Sequence, residues 1–318
     1  MAYTKDSILL DPAEETERIV TKLKSDVVQK LKKRGAVVGI SGGIDSSIVL
    51  ALCARAFGPK KVLGVMMPEQ DSNPESRELA TKLAEKFGVD YVVEDMTAAV
   101  EGFGCYRRRD EAIKNVFPEF DSSYKAKIVL PTNILEKDTL NVFQLTIIAP
   151  NGEEKTKRLP LKEYLQIVAA SNFKQRSRMS MLYYHAERLN WAVIGTGNKN
   201  EHEQGFFVKY GDGGADVKPI AHLFKTQVFQ LAEYLGVPEE IQGRTPTTDT
   251  YSAEQTQEEF FFRLPFETLD RIWYGWEQNV TPAEIAAALD LKPEQVENVI
   301  HDIKRKIAAT EYLRMNPL

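Results

Sequence analysis

The chain has 318 residues, of which 43% are hydrophobic and 27% are charged, and its formal net charge at pH 7 is −5. This composition is typical of a globular protein, and the negative charge predicts neither nucleic acid nor an anionic membrane as a partner. The two cysteines, Cys53 and Cys105, are too few for a disulfide framework or a cysteine zinc site, and no apolar run reaches membrane-spanning length.

The first predicted elements alternate between helix and strand. The N-terminal residues lack the apolar core of a signal peptide, so we expect a cytoplasmic protein. Helical spacing of apolar residues or short β-branched runs predict, in chain order, a helix at 12–34, a strand at 36–40, a helix from 48, a strand at 61–68, a helix at 74–88 and a strand at 89–95. This alternation predicts an α/β fold, with a doubly wound, mostly parallel sheet and helices on both faces.

The stretch GISGGIDSS, residues 39–47, joins the first strand to the following helix. Gly42 and Gly43 let the backbone approach an anion closely, and the N-terminus of a helix attracts negative charge. The stretch has neither the lysine of a Walker loop nor the G-x-G-x-x-G spacing of a dinucleotide fold. A carboxylate beside phosphates is repulsive unless a divalent cation lies between them, so Asp45 is a candidate Mg²⁺ ligand. The alternative is an ordinary acid near a helix start.

Residues 118–165 interrupt the alternation. They include an apolar run, then Asn151-Gly152, then a polar run, which together predict a β-hairpin. We expect this segment to be an insertion on the surface of a single domain that spans residues 1–318.

A second buried strand ends in GTGNKNE, residues 195–201. Thr196 could bond a nucleotide, and Glu201 could be the second carboxylate on the metal or an ordinary loop acid. Arg176 and Arg178, on the helix predicted at 172–190, lie two residues apart, so at most one of them faces a given site. The arginine run 107–109 is followed by acids, which favours a solvated face. His202 has no matching histidine or cysteine partner for zinc.

The glycine-rich segment around residues 209–216 is predicted to be a shaped loop that Lys209 and Asp216 flank. Lys225 follows near the start of a helix, where its ammonium could reach a bound phosphate. Residues 277–318 are predicted to be a C-terminal helical segment. Within it, residues 281–306 resemble a helix-turn-helix, but acids begin the second helix, so a helical pair packed on the core is favoured over a DNA-binding module.

Taken together, these motifs resemble a known family. SGGIDSS resembles the pyrophosphate loop of the ATP-pyrophosphatase superfamily, and the segments GTGN…E and GFFVKYGDGGADVKPIAHLFKTQV, with PTTD and LPFETLD, resemble ammonia-dependent NAD⁺ synthetases. The similarity covers residues 12–100 and 170–300. It implies an adenine nucleotide alpha hydrolase-like fold and a ligase that amidates deamido-NAD⁺ with ATP, Mg²⁺ and ammonia through an acyl-adenylate. It also implies a homodimer.

The resemblance assigns roles to individual residues of this sequence. Asp45 and Lys225 would be catalytic, and Asp45 and Glu201 would hold Mg²⁺. Arg176, Lys209 and Asp216 would contact the dinucleotide. The ATP-binding residues would be Gly39, Ile40, Ser41, Gly42, Gly43, Ile44, Asp45, Ser46, Ser47, Thr196, Lys225 and Thr247.

Two features depart from the family pattern. Tyr312 and Leu313 stand where family members often carry a basic pair that contacts the dinucleotide, and the insertion at 118–165 is not typical. A paralogue that adenylates and amidates another small carboxylate is therefore the alternative enzyme. We expect free ammonia, or ammonia from a partner, as the nitrogen source, because no nucleophilic cysteine of a glutaminase is evident.

Overall fold

The computed structural model describes residues 2–130, 134–135, 143–247, 252–253 and 256–316. These residues contain seven strands, which are Ala36–Gly39 (β1), Val62–Met66 (β2), Asp90–Val93 (β3), Lys125–Val129 (β4), Gln144–Ile148 (β5), Glu154–Arg158 (β6) and Ala192–Ile194 (β7). The α-helices are Pro12–Lys24 (α1), Ile44–Phe57 (α2), Pro74–Lys86 (α3), Thr97–Gly102 (α4), Cys105–Val116 (α5), Leu161–Leu189 (α6), Lys199–Gln204 (α7), Lys225–Leu235 (α8), Glu239–Gln242 (α9), Phe266–Glu277 (α10), Pro282–Leu289 (α11), Pro293–Ala309 (α12) and Glu311–Arg314 (α13).

The main sheet has four parallel strands in the order β3-β2-β1-β7. In its centre Val37 lies opposite both Leu63 and Val193. Val37 and Val38 are fully buried, as expected for a short β-branched strand covered on both faces. A parallel bridge between Ile194 and Val217 extends the sheet beyond β7. The prediction of a parallel α/β sheet is confirmed.

Helices cover both faces of this sheet. On one face, α1, α2, α3 and α8 contribute to a large apolar cluster together with strand residues such as Val38. On the other face, Met179 and Leu182 of α6 pack against Val37 and Leu63. Cys53 of α2 is part of the first cluster and is fully buried. The double covering leaves the carboxyl ends of the strands as the place for a ligand.

A second, antiparallel sheet has the order β4-β5-β6. The hairpin predicted around Asn151-Gly152 is confirmed as β5 and β6, and Gly152 has a φ of +85° in the turn between them. Strand β4 was not predicted. The sheet buries Leu145 and Ile147 against Phe117, which follows α5, so this segment has a core of its own.

The first helix is shorter than the predicted 12–34. After α1 a π-helical segment, Ser25–Lys30, ends the helix, and Lys32 has a φ of +57°. Conversely, α6 begins at Leu161, eleven residues before the predicted start at 172. Among the described residues, no helix combines the length and the apolar character needed to cross a membrane.

The C-terminal helices form another apolar cluster. Thr281 and Glu284 make the capping box that starts α11, as predicted. Helix α12 buries Val296, Val299 and Ile303 in the same cluster as Trp273 of α10. The pair α11–α12 therefore packs on the core, and this apolar face of α12 is not available to a DNA groove.

Candidate active site

The glycine loop between β1 and α2 is tightly built. Gly42 has a φ of +72°, and a Cβ there would lie 2.6 Å from the carbonyl oxygen of Ser76, so no other residue fits without movement. The hydroxyls of Ser46 and Ser47 donate to the Gly43 carbonyl at 2.9 and 2.8 Å. No side chain caps the N-terminus of α2. Its first N–H groups can therefore donate hydrogen bonds to the oxygens of an anion.

The loop opens into a cavity of about 1220 Å³ at the carboxyl ends of the strands. This volume exceeds that of an ordinary small-molecule site and suits more than one ligand. Most predicted ATP-site residues line it, namely Gly39, Ile40, Ser41, Gly43, Ile44, Asp45, Ser46, Thr196, Lys225 and Thr247, and so does the predicted metal ligand Glu201. Gly42 and Ser47 do not line the cavity, but both shape the loop behind it.

Asp45 and Lys225 form a direct ion pair in this cavity. The side chain of Lys225 is only 1% exposed, and that of Asp45 is 16% exposed. The second carboxylate oxygen of Asp45 accepts a hydrogen bond of 2.8 Å from the amide of Asn198, which is fully buried. These contacts join residues that are 153 and 180 positions apart in the sequence.

Buried side chains hold the backbone of Lys225 at the start of α8. The backbone N–H of Lys225 donates to Asn200 Oδ1 at 3.0 Å, and Asn200 in turn donates to Asp270. The other oxygen of Asp270 accepts from the backbone N–H of Thr226 at 2.8 Å. Asp270 is fully buried, and burial raises its pKa to about 6. Asn200 and Asp270 were not predicted as site residues.

Glu201 lies beside this pair. It shares a capping box with Asn198 at the start of α7, and it accepts a hydrogen bond of 3.3 Å from Gln257. Burial, with the charge of Asp45 in addition, raises the pKa of Glu201 to about 8. The negative charge of Glu201 near that of Asp45 is thus unfavourable as long as only Lys225 offsets the two charges. One or two carboxylates that face phosphate oxygens are the ligands that Mg²⁺ takes at nucleotide sites, so the residues fit this ion.

The three predicted dinucleotide contacts do not line the cavity, and of the three Arg176 and Lys209 are in direct contact. Arg176 Nε donates to the carbonyl of Lys209 at 3.2 Å. Lys209 Nζ donates to the carbonyls of Tyr312 and Met315, at 3.1 and 3.3 Å. The carboxylate of Asp216 accepts from the backbone N–H of Val193 at 2.8 Å and from the hydroxyl of Tyr183 at 3.1 Å. Their role as substrate contacts stays a prediction.

A buried charge cluster next to the cavity was missed in the sequence. Lys174, 1% exposed, donates to Glu69 and Asp71 at 3.1 and 2.6 Å, and Asp71 also pairs with Arg109. Burial alone would raise the pKa of Asp71, but Lys174 and Arg109 together hold it below its usual value. Glu69 lines the cavity, as does Arg178, which donates to the Met67 carbonyl at 3.1 Å.

Two sequence-based interpretations concern these arginines. The expectation that the run 107–109 forms a solvated face is wrong for Arg109, because α5 turns that side chain inward towards Asp71 while its two neighbours are exposed. The expectation that Arg176 and Arg178 face different sides is confirmed, and it is Arg178 that lines the cavity.

His202 lines the cavity next to Glu201, and its ring stacks on Phe207 with centroids 5.9 Å apart. Burial, with the positive charge of Lys218 in addition, lowers its pKa to about 4. Within the described ranges, no group of three or more histidine, cysteine, aspartate or glutamate residues is arranged to hold a metal ion.

Comparison with known proteins points to one family. A model of the NAD synthase family matches residues 15–128 and 131–317. The chain is 50% identical over 311 residues to the NH(3)-dependent NAD(+) synthetase of Mesorhizobium japonicum, which covers 98% of this chain and 97% of the relative. It is 49% identical over 317 residues to the protein of the same name from Rhizobium meliloti, covering 100% and 94%.

Solved structures share the fold at lower identity. NMN synthetase from Francisella tularensis superposes with a TM-score of 0.67 at 22% identity, covering 98% of each chain. The NH3-dependent NAD synthetase from Campylobacter jejuni gives a TM-score of 0.62 at 23% identity, covering 97% of this chain and 99% of that one. The family match over nearly the whole length and the high identity to the rhizobial relatives therefore show that the chain belongs to the NAD synthase family.

Proposed function

We propose that the chain amidates the nicotinate carboxylate of deamido-NAD⁺ with ammonia, at the expense of ATP, through an acyl-adenylate. The products are NAD⁺, AMP and pyrophosphate. One observation carries the proposal. Asp45, Lys225 and Glu201 meet at the uncapped start of α2, inside a cavity large enough for two ligands. Relatives that are about 50% identical over the full length are NH(3)-dependent NAD(+) synthetases, which supports the same reaction.

The chemistry explains why these charges are needed. A carboxylate is a poor acyl donor, because oxide would have to leave. One carboxylate oxygen therefore attacks the α-phosphorus of ATP and releases pyrophosphate. Ammonia then attacks the carbonyl carbon and loses a proton, and AMP leaves with that oxygen. The protein has to bring two polyanions together and hold them in line, which positive charge and helix N–H groups make possible.

The cavity residues divide this work. The glycine loop, residues 39–47, would hold the phosphates that leave as pyrophosphate. Asp45 and Glu201 would hold Mg²⁺, which when bound offsets the phosphate charge and polarises the α-phosphate. The ammonium of Lys225, which is paired with Asp45, lies where it could stabilise charge on the phosphate oxygens. Thr196 and Thr247, which also line the cavity, would contact ATP.

The acceptor would be bound next to this site by Arg176, Lys209 and Asp216. We propose free ammonia as the nitrogen source, as the relatives are NH(3)-dependent synthetases. We further propose a cytoplasmic homodimer of about 72 kDa, twice the 36.0 kDa of one chain. In it, residues 1–318 would form one catalytic domain, with residues 118–165 inserted and residues 277–318 as a C-terminal helical segment.

A product assay tests the proposal. Purified protein is incubated with ATP, Mg²⁺, ammonium chloride and deamido-NAD⁺, and the nucleotides are separated by chromatography. We expect NAD⁺, AMP and pyrophosphate in equal amounts, and no reaction without ammonia. Stoichiometric ADP would contradict the adenylate route. If deamido-NAD⁺ gave no NAD⁺ but another carboxylate in a substrate panel gave AMP and its amide, that carboxylate would replace deamido-NAD⁺ as the acceptor.

A further inference from the structure

Lys218 is a lysine in the main cavity to which neither the sequence motifs nor the proposed reaction gives a role. It is partly buried and lines the cavity. Its ammonium lies 5.5 Å from the ring centroid of Phe207. Within the described part of the chain it makes no hydrogen bond or ion pair, in contrast to Lys225 and Arg178 in the same cavity.

The surroundings of Lys218 leave its charge largely uncompensated. Asp212 acts on it electrostatically from beyond ion-pair distance, and burial lowers the pKa of Lys218 below its usual value despite that carboxylate. An ammonium that has lost part of its water and gained no hydrogen-bond acceptor is unfavourable in the free protein. An anionic group of a bound ligand would remove this cost.

The position of Lys218 indicates which ligand this is. Val217 pairs with Ile194 and points into the core, so Asp216 and Lys218 lie on the opposite face of the same extended segment. The stem of Lys218 rests against the loop after β7, since a Cβ on Gly195 would lie 3.3 Å from its Cγ. Lys218 is thus situated between Asp216 and the loop that carries Thr196.

We infer that Lys218 binds the carboxylate of the acceptor and is a specificity-determining residue of this site. The inference rests on the proposed function. An acceptor that is held near Asp216 has to bring its carboxylate to the phosphates beside Thr196 and Asp45, and this path passes the ammonium of Lys218. The amide product has lost the negative charge. Lys218 therefore favours binding of the acid over binding of the product.

Binding measurements on matched variants test this directly. The variants are Lys218→Met, Lys218→Arg and the control Lys304→Met, whose exposed ammonium lies 5.0 Å from the ring of Trp276, outside the cavity. Calorimetric titrations with deamido-NAD⁺ and with NAD⁺ are carried out in Mg²⁺ and α,β-methylene-ATP, which cannot be cleaved to AMP.

For Lys218→Met we expect deamido-NAD⁺ to bind about 10- to 100-fold more weakly, the usual effect of losing one charged hydrogen bond. Binding of NAD⁺ should stay unchanged. The KM for deamido-NAD⁺ should rise by a similar factor, while the KM for ATP changes by less than about twofold. Lys218→Arg should restore most of the affinity, and Lys304→Met should match the wild type.

Other outcomes overturn the inference. Equal weakening of deamido-NAD⁺ and NAD⁺ would place Lys218 on a part that both share, such as the diphosphate. A rise in the KM for ATP alone would place it on the nucleotide, and unchanged binding would leave it without a ligand. If the wild type makes NAD⁺ and Lys218→Met binds both ligands normally, this inference alone fails. If the wild type makes no NAD⁺, the proposed function fails and the inference fails with it.

Discussion

At the scale of single residues, the cavity brings two carboxylates and one lysine to the start of α2. The motifs allowed Asp45, Glu201 and Lys225 to be predicted, because each follows a buried strand or opens a helix at a recognisable position. The cluster of Glu69, Lys174 and their partners could not be predicted. Lys174 is 105 and 103 residues from Glu69 and Asp71, and Arg109 is 38 residues from Asp71, with no spacing that signals these contacts.

The two carboxylates are expected to be indispensable for adenylation. Asp45→Asn and Glu201→Gln each remove a charge that would hold Mg²⁺ on the phosphates, so AMP formation should fall at least about a hundredfold. Glu203→Gln is the control, since Glu203 lies on the same short helix but pairs with Lys199 outside the cavity lining. AMP release and the melting temperature are measured for all three. Wild-type AMP formation in either carboxylate variant would remove that residue from the site.

The buried charge cluster is expected to control stability. Lys174→Met leaves Glu69 and Asp71 buried without their shared partner, which should lower the free energy of unfolding by about 3–5 kcal/mol. Lys5→Met, which breaks the exposed pair with Asp290, serves as the control and should change little. Urea unfolding of both variants measures the difference. Equal stability of the two would mean that the cluster is solvated or rearranged.

At the scale of elements, parallel strands and the local signals of single caps and turns were the most predictable features. The capping box of α11 and the Asn-Gly turn are local signals, and the structure contains both. The extra strand β4 was missed because its burial depends on a partner strand that follows after fifteen or more residues. The early end of the first helix at a π-helical segment has no clear signal in its amino acids.

The buried carboxyl group of Asp270 is expected to make the free energy of unfolding depend on pH. Burial raises the pKa of Asp270 from 3.8 to about 6, so the folded state takes up a proton more readily than the unfolded chain. The free energy of unfolding that Asp270 contributes should therefore fall by about 3 kcal/mol as pH rises from about 4 to about 6, and stay level above. Urea unfolding between pH 4 and 7 compares the wild type with Asp270→Asn. A difference between the two that does not vary with pH would show that Asp270 is ionised throughout.

At the scale of the whole molecule, the fold follows from alternation of buried strands and amphipathic helices, which determines where the carboxyl ends of β1, β2 and β7 meet. That edge holds the cavity, as the sequence predicted. How Arg176, Lys209 and the C-terminal segment come together was not predictable, because it depends on how α6 and α13 are placed against the loop of Lys209 rather than on any motif.

The acyl-adenylate is the central claim, and transfer of a labelled oxygen tests it most directly. Deamido-NAD⁺ labelled with ¹⁸O in its carboxylate is converted with ATP, Mg²⁺ and ammonia, and the nucleotide products are analysed by mass spectrometry. The account predicts one ¹⁸O atom in AMP for every NAD⁺ formed, because AMP leaves with a carboxylate oxygen. Unlabelled AMP, or ADP with ¹⁸O in inorganic phosphate, would contradict it.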